Sequence, residues 1–318
     1  GKMDADEFRD YILGFIFYKY LSEKIENFTN ELLKEDGITF TSLDSNNPEH
    51  EEILNSLKDD CVQQLGYFLK PNELFSAMAK KGNSDNNNFI LDDLTQVLRH
   101  IESSTMGTES EDDFEHLFED LDLTSTKLGR TEEAKNKLIA KVLYHLDSIN
   151  FELKNHDRDI LGDAYEYLIG QFAAGAGKKA GEFYTPQSIT KVLTQIALEG
   201  KKTQPKLSVY DPTMGSGSLL LSAQQYFHDP NSITFYGQEL NVSTYNLARM
   251  NMFFHGVPFE KQYLRRGDTL GWDWPTENQT KFDTVLMNPP YSVKWLAEEG
   301  YLSDPRFKDY GVLAPKSK

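Results

Sequence analysis

The spacing of apolar residues changes character after FAAGAGKKAGEFYTP, residues 172–186, and that change constrains the fold more than any other feature of the chain. Upstream of it, Phe8, Tyr11, Ile12, Phe15, Ile16 and Tyr20 recur at helical intervals between charged residues, over residues 4 to about 33. In KPNELFSAMAKKG, Pro71 marks a helix start and Gly82 falls just past its end. NNNFILDDLTQVLRHIES and TEEAKNKLIAKVLYHLDSINF read as two further helices, and nothing in this half alternates convincingly with period two.

Downstream of GEFYTP, short apolar runs alternate with helical patterns. QSITKVLTQIALEG is a helix, KLSVYD a strand, and a glycine turn then leads into the helix SLLLSAQQYFHD. The strand ITFYGQEL, the helix STYNLARMNMFFHG, a short segment up to RRGDTL and the strand FDTVLMN follow. Alternation of this kind predicts an α/β fold, with a parallel sheet and helices on both faces. Ligands of such sheets bind at the carboxyl ends of the strands. The expected division is a helical domain over residues 1–165 and an α/β domain over residues 166–318.

Charge follows the same division. Residues 1–150 hold 15 Lys and Arg against 31 Asp and Glu, whereas residues 151–318 hold 18 against 19. Phosphate neutralisation supplies most non-specific affinity for nucleic acid, so an acidic half is a poor DNA binder by itself. If the chain acts on DNA, another chain is expected to supply much of the grip. The lone cysteine, Cys61, excludes an internal disulfide framework and any multi-cysteine zinc site. With no metal expected, no apolar run long enough for a bilayer and an acidic start, the chain is expected to be a cytoplasmic protein that leaves membranes alone.

Four strand ends carry chemistry. In VYDPTMGSGSLLL, Gly215 and Gly217 allow a tight turn and close backbone approach to a ligand at the start of a helix, with Ser218 opening that helix. The third glycine of a dinucleotide fingerprint is missing, since Leu220 stands there, so the turn suits a compact ligand without a pyrophosphate. Glu239 of FYGQELN follows at the end of the next strand, where an acid can hold ribose hydroxyls. Asp268 of RRGDTL is placed to accept from an adenine amino group, or is simply a surface turn residue. Together with Asp211 these residues fit an adenosine bearing an amino-acid tail, S-adenosylmethionine.

The fourth end is Asn288-Pro289-Pro290-Tyr291. The side-chain carbonyl of Asn288 and the backbone carbonyl of Pro289 can both aim at one planar NH₂ group, whose lone pair is delocalised and weakly nucleophilic. Accepting both its hydrogens favours the geometry and charge of attack. The prolines preset those carbonyls, and Tyr291 offers a face for a flat ring, which in DNA must first leave the helix.

GEFYTP, DPTMGSGSLLL, the glutamate of GQEL and NPPY together resemble the amino-group DNA methyltransferases. The match is most similar to the modification subunit of type I restriction–modification systems, as are DEFRDYILGFIFYKYLSEK and LGDAYEYLIGQFA. The resemblance implies a Rossmann-like S-adenosylmethionine-dependent domain that methylates the exocyclic amine of adenine in DNA. Asn288, Pro289, Pro290 and Tyr291 would be catalytic. Cofactor positions would be Phe183, Tyr184, Thr185, Pro186, Asp211, Gly215, Gly217, Ser218 and Glu239, with Asp268 a weaker member. The partners implied are a specificity subunit, a translocating nuclease subunit and a second modification subunit.

The chain stops 27 residues after Tyr291, where further strands and a carboxy-terminal helical region are expected, so it reads as a truncated chain. Two other readings stay open. NPPY also serves methyltransferases acting on a protein glutamine amide, and the chain could instead be a non-catalytic assembly module.

Overall fold

The computed structural model describes residues 5–83, 89–151, 158–175, 184–271 and 281–290, together with Ser303 and Lys308. The first half is helical. Helix α1 (Ala5–Leu32) buries Tyr11, Phe15, Phe17, Tyr18 and Leu21, and packs against at least five other helices, so most of its circumference is apolar. Helix α2 (Pro48–Leu65) is capped by Asn47, whose side chain accepts from the Glu49 N–H. It ends at Gly66, where φ of 88° fits the left-handed cap.

Around Pro71 the structure differs from the sequence expectation. Pro71–Glu73 form a single 3-10 turn, closed by the Glu73 carboxylate accepting from the Lys70 N–H at 2.8 Å. Leu74 is extended, so helix α3 (Phe75–Gly82) starts after it and takes Gly82 as its last residue. Then come α4 (Leu91–Ser103), the short α5 (Glu111–Phe114), α6 (Glu132–Asp147) and α7 (Arg158–Gly175). Helix α7 spans the expected boundary between residues 165 and 166.

After α8 (Gln187–Ala197), the second half alternates as expected: β1 (Leu207–Asp211), α9 (Ser218–Tyr226), β2 (Ile233–Glu239), α10 (Val242–Phe254), β3 (Gln262–Arg266) and β4 (Thr284–Val285). The four strands form one sheet in the order β3-β2-β1-β4, with every pairing parallel. All five residues of β1 are buried, which requires cover on both faces. On one face Leu207, Val209, Ile233, Phe235 and Leu264 join Leu219, Leu220, Ala248 and Met252 of α9 and α10 in one core. The other face carries a row of registered tyrosines, Tyr210, Tyr236 and Tyr263. The Phe282 ring joins it, 4.6 Å from Tyr210 and 4.8 Å from Tyr236.

Helix α10 serves both cores. Its Leu247, Met250, Phe253 and Phe254 belong to the helical core. The Phe254 ring lies 4.6 Å from Tyr20 of α1 and 4.1 Å from Tyr165 of α7. Among the described residues, no helix is long and apolar enough to cross a membrane.

Candidate active site

The parallel sheet brings the predicted strand ends to one edge. At the end of β1, Asp211 turns the chain: its Oδ1 accepts from the Thr213 N–H at 2.9 Å and the Thr213 hydroxyl at 3.4 Å. Gly215 at φ 55° and Gly217 at φ 80° then swing the backbone into α9, in a region that side chains strain to occupy. The loop is tied to β2, since the Met214 N–H donates to the Gln238 carbonyl at 3.0 Å. Behind it, the Asn251 side chain donates to the Ser216 carbonyl at 3.0 Å. Ser218 is buried, with its hydroxyl 2.9 Å from that of Ser216.

Glu239 ends β2 and reaches back across the loop. Its carboxylate accepts from the Gly215 N–H at 3.2 Å and from the Asn241 N–H at 2.8 Å. The third strand end joins through backbone: the Gly267 N–H donates to the Glu239 carbonyl, and the Thr269 hydroxyl to the Pro212 carbonyl. Asp268 between them is exposed and caps its own turn, accepting from the Leu270 N–H at 3.0 Å.

One buried and one half-buried carboxyl therefore face one small region. Burial drives the Asp211 carboxyl up to about 7; the Thr213 hydrogen bonds oppose this and the nearby Glu239 charge adds to it. Burial also raises Glu239, against hydrogen bonds from Asn241, Gly215 and Leu240. Among the described residues, no basic side chain offsets either one.

Strand β4 positions the proline turn. Asp283 accepts from both the N–H and the hydroxyl of Ser208, each at 2.8 Å, and so sets the register against β1. Tyr210 then pairs with Val285, and the Leu286 N–H donates to the Tyr210 carbonyl at 2.9 Å. Asn288 thus lies just beyond the level of Asp211, at the same sheet edge. It is half-buried, while Pro289 and Pro290 are exposed. Its Nδ2 donates to the Thr185 hydroxyl at 3.2 Å.

The other residues before α8 play supporting parts. Pro186 adopts φ −55° immediately before the helix, and Tyr184 packs beside Gly170 of α7. Phe183 and Tyr291 lie outside the described residues. Thr213, Gln238 and Asn251 escaped the sequence reading; an Asp followed two places on by Thr is a turn signature that could have revealed the first.

A family model described as N-6 DNA Methylase matches residues 156–318. The chain belongs to the N-6 DNA methylase family. A second model, the HsdM N-terminal domain, matches residues 1–146 of this methylase-family chain. The methylase subunit of the type I restriction enzyme MpnII from Mycoplasma pneumoniae is 35% identical over 100% of the chain and 60% of its own length. That of HindI from Haemophilus influenzae is 32% identical over 49% of the chain and 34% of its own length.

Among solved structures, the methyltransferase subunit of a type I restriction-modification system from Streptococcus thermophilus is 47% identical, with a TM-score of 0.85. It covers 100% of the chain, which spans 66% of that protein. A modification subunit of a type I restriction enzyme from Vibrio vulnificus shares the fold, at a TM-score of 0.50 and 19% identity. The chain thus spans about 60% of the length of the MpnII subunit.

Proposed function

We propose that this chain is the catalytic part of a type I modification subunit, and that it methylates the exocyclic amine of adenine in DNA with S-adenosylmethionine. The observation that carries the reading is the seating of Asn288-Pro289-Pro290 beside Asp211, Gly215 and Glu239 at one sheet edge, in a chain of the N-6 DNA methylase family. When bound, the cofactor would supply a methyl group activated on a sulfonium, which would become a thioether as the amine nitrogen takes the methyl and gives up a proton to solvent.

The donor set fits that cofactor. A buried and a half-buried carboxyl, without a basic partner among the described residues, favour a cationic ligand. The positive-φ glycines keep the turn open to close approach, and Gly237 leaves room behind it, where a Cβ would collide with the Met214 sulfur. Glu239 would hold ribose hydroxyls, and Asp211 would hold the turn while lending negative charge. The Asn288 and Pro289 carbonyls accept the two amine hydrogens and so orient the nitrogen for attack. Tyr291 supplies the aromatic face for a base turned out of the duplex.

A specificity subunit that reads the DNA sequence, a translocating nuclease subunit and a second modification subunit complete the proposed assembly, which acts in the cytoplasm. The division into a helical domain over residues 1–165 and a catalytic domain over 166–318 belongs to the same proposal. Supporting it, the acidic first half of the chain is ill suited to gripping DNA unaided. Incubating the full-length protein and its specificity partner with methyl-labelled cofactor and DNA tests the reading. Label on the DNA is the expected result, and label on protein alone would favour the glutamine-amide chemistry instead.

A further inference from the structure

GEFYTP and the proline turn lie about a hundred residues apart, yet their side chains meet. We infer that Thr185 is a positioning residue for Asn288, its hydroxyl tethering the nitrogen end of the amide so that the oxygen is left for the reacting amine. The inference rests on the methylation reading above and adds to it a specific role for one side chain.

A primary carboxamide has two ends of nearly equal size and opposite hydrogen-bonding sense. With its oxygen toward the substrate, Asn288 accepts a hydrogen from the amine. Turned by 180°, it would present two N–H donors to a group that must give up its hydrogens, and the interaction would oppose the reaction. Packing cannot distinguish the two orientations, and a hydroxyl can serve either end of an amide; here it accepts from the nitrogen. Asn288 Nδ2 donates to Thr185 Oγ1 at 3.2 Å across 103 positions of sequence. With the nitrogen held there, the oxygen is directed to the other side of the amide.

Thr185 is itself held from both directions. Its carbonyl accepts from the Thr190 hydroxyl at 3.3 Å, in the first turn of α8. On its other side, Tyr184 is seated against α7: a Cβ on Gly170 would come 3.2 Å from the Tyr184 phenol oxygen. The hydroxyl that steers Asn288 is therefore bracketed between two helices, which is the rigid support a precise site needs. The resemblance placed Thr185 among the cofactor residues; the hydrogen bond places its hydroxyl on the amide.

The test uses the complete subunit assembly with DNA and S-adenosylmethionine, comparing wild type, Thr185→Val and Thr185→Ser. Valine keeps the shape and removes the hydroxyl. Turnover is expected to fall by about 10²-fold in Thr185→Val, as for a misplaced catalytic group, with cofactor affinity by calorimetry unchanged. Thr185→Ser, which keeps an oxygen for the amide, restores most of the turnover. Wild-type turnover in Thr185→Val, or a loss explained by weakened cofactor binding, overturns the inference. A wild-type assembly that methylates nothing overturns the functional reading instead. The contact is then judged by urea unfolding of Thr185→Val, Asn288→Ala and the double mutant, where strictly additive effects count against it.

Discussion

Asp211 spends both lone-pair directions of one oxygen on its own turn while burial holds its carboxyl at about 7. The folded protein therefore keeps a proton that the unfolded chain releases near 3.8. The stability contributed by that proton is fully present below the unfolded value and is lost as pH rises through about 7. A cationic cofactor prefers the ionised form, so its affinity should weaken as pH falls from 8 to 6, with proton release on binding near 7. Calorimetry in buffers of different ionisation enthalpy measures both; a flat affinity profile would remove Asp211 from the cofactor site. Asp211→Asn should bind more weakly and lose the pH dependence. At the same scale, Asn288→Ala removes one of the two acceptors proposed for the amine. Methylation should fall by about 10²–10³-fold, as for loss of a preorganised hydrogen-bonding group, while cofactor binding persists. Near-normal turnover in that variant would mean the proline turn does not hold the reacting group.

At the scale of elements, several helices and the succession of strands along the chain were readable because each rests on a local pattern. The period of 3.6 in α1, α4 and α6 and the alternation from β1 to β3 are written in consecutive residues. Strand β4 was readable as an apolar run but not in length. Its two paired residues depend on Asp283 reaching Ser208, 75 positions away. Helix α2 was missed although Asn47 and Pro48 form a recognisable start, because its buried stripe is sparse: only Leu54, Leu57 and Cys61 are fully covered. The glycine turn was legible in the same way, but its support was not. A Cβ at Gly237 would meet the Met214 sulfur and the Leu264 side chain. Gly237→Ala should therefore destabilise the fold by about 1–3 kcal/mol through overpacking, read as a lowered urea midpoint. An unchanged midpoint would show that Met214 yields freely and that the loop is looser than its hydrogen bonds imply.

Over the whole molecule, α10 binds the helical half to the sheet. Arg249 is 2% exposed and donates from Nη1 to the carbonyls of Asp112, Asp113 and Glu115, at 2.9 to 3.2 Å. Its guanidinium also lies 4.6 Å from the Tyr245 ring centroid. A buried cation satisfying three carbonyls of another segment is a long-range device that no local pattern discloses. Arg249→Met should strip those carbonyls of their donor and cost about 3 kcal/mol, measured by equilibrium unfolding. A loss near zero would mean that the other contacts, those of Phe253, Phe254 and Asn246 among them, suffice to join the two halves. Through α10 the acidic helical region and the candidate catalytic edge pack together. The most direct test of the methylation reading is nucleoside mass spectrometry of DNA treated with the full-length protein, its specificity partner and S-adenosylmethionine. Wild type should yield N6-methyladenine at discrete sites and Asn288→Ala essentially none. Unmodified adenine with active wild-type protein, or equal methylation by both proteins, would contradict it.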